Sequence, residues 1–406
     1  MKAFSRNTGP AMHRLLFILW LVFQLGVYAQ PRHLYLTWDN PDTAHTQTIV
    51  FQTVGKAANP HVEVKLDGAA GQATVLSCKT VMLTGTQRRI HRVTLTGLEA
   101  ATLYQFRAGD STFGMTGWKS FRTLPTTGPV KIVTGGDMYR HPETVQLLQA
   151  AARHKPDVAL IGGDIAYADA DLDKIGFWDD WFDNWANHLD SRNGPMVPMI
   201  CAIGNHEVGG AFDRKKTDAP YYFAFFPQGG EAYFHRKLSQ ECEVVVLDSS
   251  HVTTHQAQVP FLTKTLASMQ QRDISYRLAL YHVPCYPTHR PANDPYGQRG
   301  RKHWVPLFDR YALTAGLENH DHTFKRTHPL KANKVTPGGT VYLGDGCWGR
   351  TPRTVDTSLP YLAKASSTYH VWMLTTEPGK TMLCEAVGRD GKVFDRVRVK
   401  ARAGGQ

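Results

Sequence analysis

Five short clusters of metal-ligating residue types recur through the chain: Gly136-Asp137, Gly163-Asp164-Ile165-Ala166-Tyr167, Gly204-Asn205-His206-Glu207, Tyr281-His282 and His320-Asp321-His322. Asp137, Asp164, Tyr167, Asn205, His282, His320 and His322 together offer carboxylates, a phenol, an amide and imidazoles, with His206 and Glu207 in reserve. Hard oxygen and intermediate nitrogen donors without thiolate suit iron, zinc or manganese, not copper(I) or an iron–sulfur cluster. A single ion would not use so many donors, whereas two ions sharing a bridging carboxylate would. Taken singly, each residue has an ordinary explanation. Asp137 could cap the following helix, Asn205 could be a turn residue, and His282 could be structural. His320 and His322 flank one position and so point to one side of an extended segment, which favours joint ligation.

The elements that must position these groups are legible from the pattern around them. From Val130 onward, short apolar runs alternate with helical ones: strands at 130–134, 158–161, 199–203, 244–247 and 276–281, helices at 142–154 and 175–189. That alternation predicts an α/β domain with sheets buried on both faces. Each cluster follows a predicted strand, where such folds place their sites. Strands are also expected at 371–375, 382–387 and 393–399, as the far side of the catalytic sandwich without chemistry of their own. Trp178, Trp181 and Trp185 recur at helical spacing and predict one packed helix face, not a ligand platform.

The order Asp … G-D-x-x-Y … G-N-H-E … His … H-x-H, from Asp137 to His322, resembles the five-block pattern of purple acid phosphatases within the metallophosphoesterase fold. The resemblance implies two mixed sheets flanked by helices. It implies that Asp137, Asp164, Tyr167 and His322 hold Fe(III), that Asp164 bridges, and that Asn205, His282 and His320 complete a site for Zn, Mn or Fe(II). Phenolate and carboxylates suit the trivalent ion, and imidazoles with an amide suit the divalent one. Such a pair of metals lowers the pKa of a bound water, so that hydroxide attacks phosphorus in line. His206 would contact the phosphoryl group or protonate the leaving group, Glu207 would orient its ring, and His289 resembles the family's substrate-loop histidines. Tyr139, Ala279 and Asn319 depart from the family pattern, which has Gly, Val and Gly there; Tyr139 would crowd the pocket mouth, and Asn319 would have to adopt a backbone geometry that Gly allows more freely.

Ahead of this domain, residues 30–125 carry the rhythm of an all-β sandwich. Val93-Thr94-Leu95-Thr96-Gly97-Leu98 and Thr102-Leu103-Tyr104-Gln105-Phe106 resemble a fibronectin type III sequence, which would make Tyr104 a corner tyrosine. Leu124-Pro125-Thr126-Thr127-Gly128-Pro129 reads as a linker to a catalytic domain over 128–406. The first 29 residues read as a secretory signal: His13 and Arg14 precede an apolar run from Leu15 to Val27, and Ala29 ends a cleavage pattern. An exported protein without stable membrane association after cleavage is therefore expected.

The 406 residues are 42% hydrophobic and 20% charged, an ordinary globular balance that argues against disorder. The net charge of +11 would draw anionic substrates. No compact Lys/Arg run or aromatic-interleaved basic stripe is present, which argues against nucleic acid. Cys78, Cys201, Cys242, Cys285, Cys347 and Cys384 form no C-x-x-C pair, and Cys201 and Cys242 read as buried strand residues. The leading expectation is hydrolysis of small phosphate monoesters; a phosphodiesterase or nucleotidase, and an exported non-catalytic metal-binding protein, are the alternatives. A homodimer is left open.

Overall fold

The computed structural model describes residues 31–110 and 114–402; the expected leader over 1–29 lies outside the described residues. Alternating apolar residues build the N-terminal sandwich. Its four-stranded sheet contains Arg32–Thr37, Thr46–Val54, Arg88–Thr96 and Lys79–Met82, and its second sheet centres on Pro60–Leu66 and Leu103–Asp110. Leu36, Ile49, Phe51, Val62, Phe106 and Phe121 point inward to form its core. The Glu99 amide donates to Tyr104 Oη at 2.9 Å, the tie expected of a corner tyrosine.

Residues one step out of phase with that core face the second domain. Tyr35 stacks on Phe182 at 4.7 Å and its hydroxyl donates to the Phe225 carbonyl at 2.6 Å. Arg88 pairs with Asp179 at 2.7 Å. The sandwich is thereby held against the flank of the second domain.

That second domain is two sheets face to face. The first runs Met199–Cys201, Val158–Ile161, Lys131–Gly135, Val371–Thr376, Thr381–Val387, Val393–Lys400. Its first three strands are parallel and the rest antiparallel. The second sheet has Cys242–Val246, Tyr276–Leu280, Ala315–Leu317 and Val341–Gly344 parallel at its centre. Ile132, Leu160 and Ile200 of one sheet meet Val244, Leu278 and Leu317 of the other in a shared core. Their neighbours Val133, Ile161 and Cys201 turn the opposite way, against helices Pro142–Arg153 and Ile175–Trp185. On the far side Val245 and Ala279 meet helices Val259–Gln271 and Val305–Arg310. Burial on both faces is why these strands read as unbroken apolar runs.

Two expectations change in detail. The α-helix at Ile175 ends at Trp185 and continues as a single π turn, Ala186–Asp190. The C-terminal strands are not a remote face: Val371–Thr376 pairs directly with Lys131–Gly135, the strand leading to Asp137. The tryptophan face is as expected, with Trp178, Trp181 and Trp185 each 1% exposed in the core. All six cysteines are free thiols, and Cys201 and Cys242 are buried in strands.

Candidate metal centre

The C-terminal ends of both sheets' parallel strands open onto one spot. Lys131–Gly135, Val158–Ile161 and Met199–Cys201 lead into Asp137, Asp164 with Tyr167, and Asn205; Tyr276–Leu280 and Ala315–Leu317 lead into His282 and His320. Past the strand ends the first two segments stay paired, with the amides of Asp137, Met138 and Tyr139 donating to the carbonyls of Gly163, Asp164 and Ile165. The Asn319 amide donates to the His282 carbonyl, linking the last two segments in the same way.

Five of the seven expected donors adopt left-handed backbone: Asp137 (φ 56°), Asp164 (52°), Tyr167 (61°), His320 (75°) and His322 (54°). Such conformations are costly for non-glycine residues and persist only where surroundings enforce them. Gly162 and Gly346 help to enforce them. A Cβ on Gly162 would lie 1.9 Å from Asn319 Nδ2, and one on Gly346, itself at φ +57°, 1.9 Å from Asp137 Oδ2. Asn319 does not share the left-handed geometry. Its side chain instead fills the space over Gly162, and its Nδ2 donates to the Tyr281 carbonyl at 2.9 Å.

Two buried donor groups result, Asp137–Asp164–His322 and Asp164–His282–His320, each with its ligand atoms within 4.8 Å of one another and with Asp164 common to both. In the first, His322 Nε2 is 3.0 Å from Asp137 Oδ1, and Tyr167 Oη lies 3.2 Å from each of them. In the second, His282 Nε2 is 3.1 Å from Asn205 Oδ1, 3.3 Å from Asp164 Oδ1 and 3.0 Å from His320 Nδ1. All seven donors expected from the sequence converge.

This donor set fits two cations. Two imidazole nitrogens 3.0 Å apart repel unless a proton or a metal lies between them. Burial opposes protonation of His282, yet Asp164 pushes its pKa up to about 9, while burial and His282 push His320 well down. Burial and the charges of Asp137 and Asp164 push the Tyr167 phenol well up, so a phenolate there requires a strong cation beside it. His282 Nδ1 is 2.8 Å from the Gly162 carbonyl, which leaves Nε2 free to ligate.

Around the donors, the expected roles change. The Glu207 carboxylate does not face the His206 ring. It accepts the amides of Asp164, Ile165 and Gly204, each at 2.8 Å, because the single turn Asn205–Glu207 aims it back under the Asp164 loop. Burial and Asp164 push its pKa up to about 8. Asp169 faces His206 instead, with Oδ1 2.5 Å from Nδ1, and is held in turn by Lys174 at 2.5 Å. His206 Nε2 is 3.9 Å from Asp164 Oδ2, at the rim of the centre.

His289 is exposed, and its Nδ1 lies 2.9 Å from the Thr354 carbonyl, outside both donor groups. Its backbone is fixed all the same: Asp321, between His320 and His322, accepts the amides of Thr288 and His289 at 2.8 Å and pairs with Arg290 at 2.7 Å. Tyr139 stands edge-on to Tyr167 at 5.4 Å between ring centroids, beside the donors as its position implied. Sequence reasoning passed over Asp169, although it lies two residues after Tyr167 in the same block.

Geometry and ancestry agree on the class. Residues 130–324 match the calcineurin-like phosphoesterase family, and residues 31–123 match the purple acid phosphatase N-terminal domain. The fold is that of the purple acid phosphatase PPD1 of yellow lupin (Lupinus luteus) seeds, with a TM-score of 0.76 at 17% identity over 92% of this chain and 74% of that one. PhoD aligns with a TM-score of 0.67 at 12% identity, over 92% and 89% of the two chains. Among curated proteins, purple acid phosphatase 15 of Arabidopsis thaliana is 24% identical over 65% of this chain and 55% of its own length. Purple acid phosphatase 21 of the same plant is 27% identical over 64% and 58%. This chain therefore belongs to the purple acid phosphatase family, and it spans little more than half the length of these curated relatives.

Proposed function

We propose that the protein hydrolyses phosphate monoesters at a two-metal centre, with Fe(III) on Asp137, Asp164, Tyr167 and His322 and a divalent Zn, Mn or Fe(II) on Asp164, Asn205, His282 and His320. The observation that carries the reading is the carboxylate of Asp164, shared by two converging donor groups. Two such ions, when bound, would lower the pKa of water and neutralise charge on the phosphoryl oxygens. The chain's own residues supply the rest. His206, at the rim beside Asp164, protonates the departing alkoxide. Asp169 fixes the ring by its bond to Nδ1 and stabilises the protonated form. Glu207 holds the backbone on either side of Asp164, and so the position of the bridging group. Asp321 ties the backbone of the His289 loop to the segment that carries His320 and His322, and His289 serves as a substrate-loop residue. Substrates are small and phosphorylated, in keeping with the basic chain, and the leader over 1–29 directs export.

Rates of p-nitrophenyl phosphate and bis(p-nitrophenyl) phosphate hydrolysis, in the parent and in Asp164→Ala, test this. The monoester should be cleaved faster, and both activities should vanish in the variant. Faster diester cleavage would move the reading to a phosphodiesterase.

A further inference from the structure

The segments that carry His282 and His320 share a buried ion cluster that the hydrolytic scheme above does not use. Lys325, in the strand Phe324–Thr327, has its side chain fully shielded from solvent. An ammonium group has three protons to donate. Here they meet Glu318 Oε2 at 2.5 Å, Asp345 Oδ1 at 2.6 Å and the Tyr286 carbonyl at 2.6 Å.

Each partner of Lys325 holds another segment in turn. Glu318, two residues before His320, accepts the Tyr281 hydroxyl and the Cys285 amide on its other oxygen, both at 2.7 Å. Tyr281 immediately precedes His282. One carboxylate, fixed by Lys325, therefore joins the two segments that supply both imidazoles of the divalent site. The 3.0 Å approach of His282 Nε2 to His320 Nδ1 depends on how those segments lie. Asp345 accepts the Thr288 hydroxyl at 2.8 Å on its second oxygen, so the loop from Cys285 to Thr288 is held as well. Among the described residues, neither Lys325, Glu318 nor Asp345 bonds to the segments that carry Asp164, Tyr167 and Asn205. Tyr281, Cys285, Thr288, Glu318, Lys325 and Asp345 are each 2% exposed or less, so water does not replace a lost bond. An interior ion cluster adds little stability over apolar side chains of equal volume. With its donors and acceptors satisfied, it does hold the chain in one arrangement.

We propose that Lys325 is a positioning residue for the divalent site: acting through Glu318, it holds His282 and His320 at the separation that binds the ion. The proposal rests on the two-metal reading of the centre. Methionine in place of Lys325 keeps an unbranched side chain but leaves Glu318 buried without its cation. Such a carboxylate takes up a proton or turns toward water, and its hold on Tyr281 and Cys285 is lost. Metal affinity falls because the two imidazoles are no longer fixed before the ion arrives.

Zinc binding to the metal-free full chain, measured by competition with a chromophoric chelator, tests this in the parent, Lys325→Met and Tyr281→Phe, with His320→Ala marking the divalent site. The parent should bind two ions. Lys325→Met should weaken the site that His320→Ala removes by at least about tenfold and the other by less than about threefold. Tyr281→Phe, which deletes one bond to Glu318, should weaken the same site by a smaller factor. Equal weakening of both sites, or unchanged affinity with a lower urea midpoint, shows a role in stability alone and overturns the proposal. If Lys325→Met does not fold, Tyr281→Phe decides: a loss confined to the His320 site supports the proposal, and unchanged affinity overturns it. A parent that binds a single ion contradicts the two-metal reading separately. In that case a loss of about tenfold for that ion in Lys325→Met, with the far-UV spectrum of the parent, still supports the positioning role, and no loss removes it.

Discussion

Asp169→Asn separates the partner that the geometry gives His206 from the one its sequence neighbour suggested. The 2.5 Å contact between Asp169 Oδ1 and His206 Nδ1 is charge-assisted when the ring is protonated, the form that donates to a leaving group. Asparagine keeps the shape and one neutral bond but removes the negative charge. Charge-assisted bonds contribute about 1.5–3 kcal/mol and neutral ones about 0.5–1.5. Asp169 is 37% exposed, so water compensates part of the difference. The two ranges differ by about 1–1.5 kcal/mol, so after that compensation the net loss is about 1 kcal/mol, or roughly fivefold in rate. That loss should appear in kcat for an alkyl phosphate, whose leaving alkoxide needs the proton. It should be smaller for p-nitrophenyl phosphate, whose phenolate leaves unaided. The assay is steady-state hydrolysis of both esters at matched metal content. Unchanged kcat on the alkyl ester, or equal losses on both, would refute the assignment of His206 as the acid and Asp169 as its orienting group.

Glu207→Gln sets an NH2 group against at least one of three converging amide donors; metal-free protein should lose about 1–3 kcal/mol in urea unfolding, and an unchanged midpoint would contradict the supporting role. Gly346→Ala drives a methyl group onto Asp137 Oδ2 at a position with φ +57°, so metal analysis should find the Tyr167 site depleted and any visible phenolate–Fe(III) absorption lost. His370, 2% exposed, has its pKa pushed down to about 4 by burial. Its folded pKa lies below the unfolded value, so its contribution is complete above pH 6.5 and disappears as pH falls toward 4. The span is about 3 kcal/mol, and in His370→Asn the acid slope of unfolding free energy should flatten by roughly one proton.

The convergence of the seven donors was legible because the segments that carry them follow apolar strands, and strand ends are where a buried sheet can present polar groups without breaking its core. The strands leading to Asp137 and Asp164 were legible for the same reason: Ile132 and Val133, and all of Val158–Ile161, are buried between the helices and the facing sheet, so the short runs at their centres are apolar. Phe324–Thr327, by contrast, holds a Lys in mid-strand. Lys325 is fully buried between Glu318 and Asp345 at 2.5 and 2.6 Å, a pairing that forms only when adjacent strands of the sheet come together and that no local pattern announces. The orientation of Glu207 was hidden similarly. Adjacency to His206 suggested a bond to its ring, whereas the turn at Asn205–Glu207 sends the carboxylate to amides of another strand's loop. Asn319 shows the reverse case. Backbone freedom expected of that position is taken up by His320 and His322, and its side chain works as a spacer over Gly162.

The central claim is that Asp164 joins two metal ions into one catalytic unit. Stepwise addition of metal to metal-free full-length protein, with p-nitrophenyl phosphate hydrolysis followed at each equivalent, tests it most directly. Little activity is expected through the first equivalent, with a rise across the second and a plateau at two per chain. Full activity at one equivalent, or none at any, would contradict it.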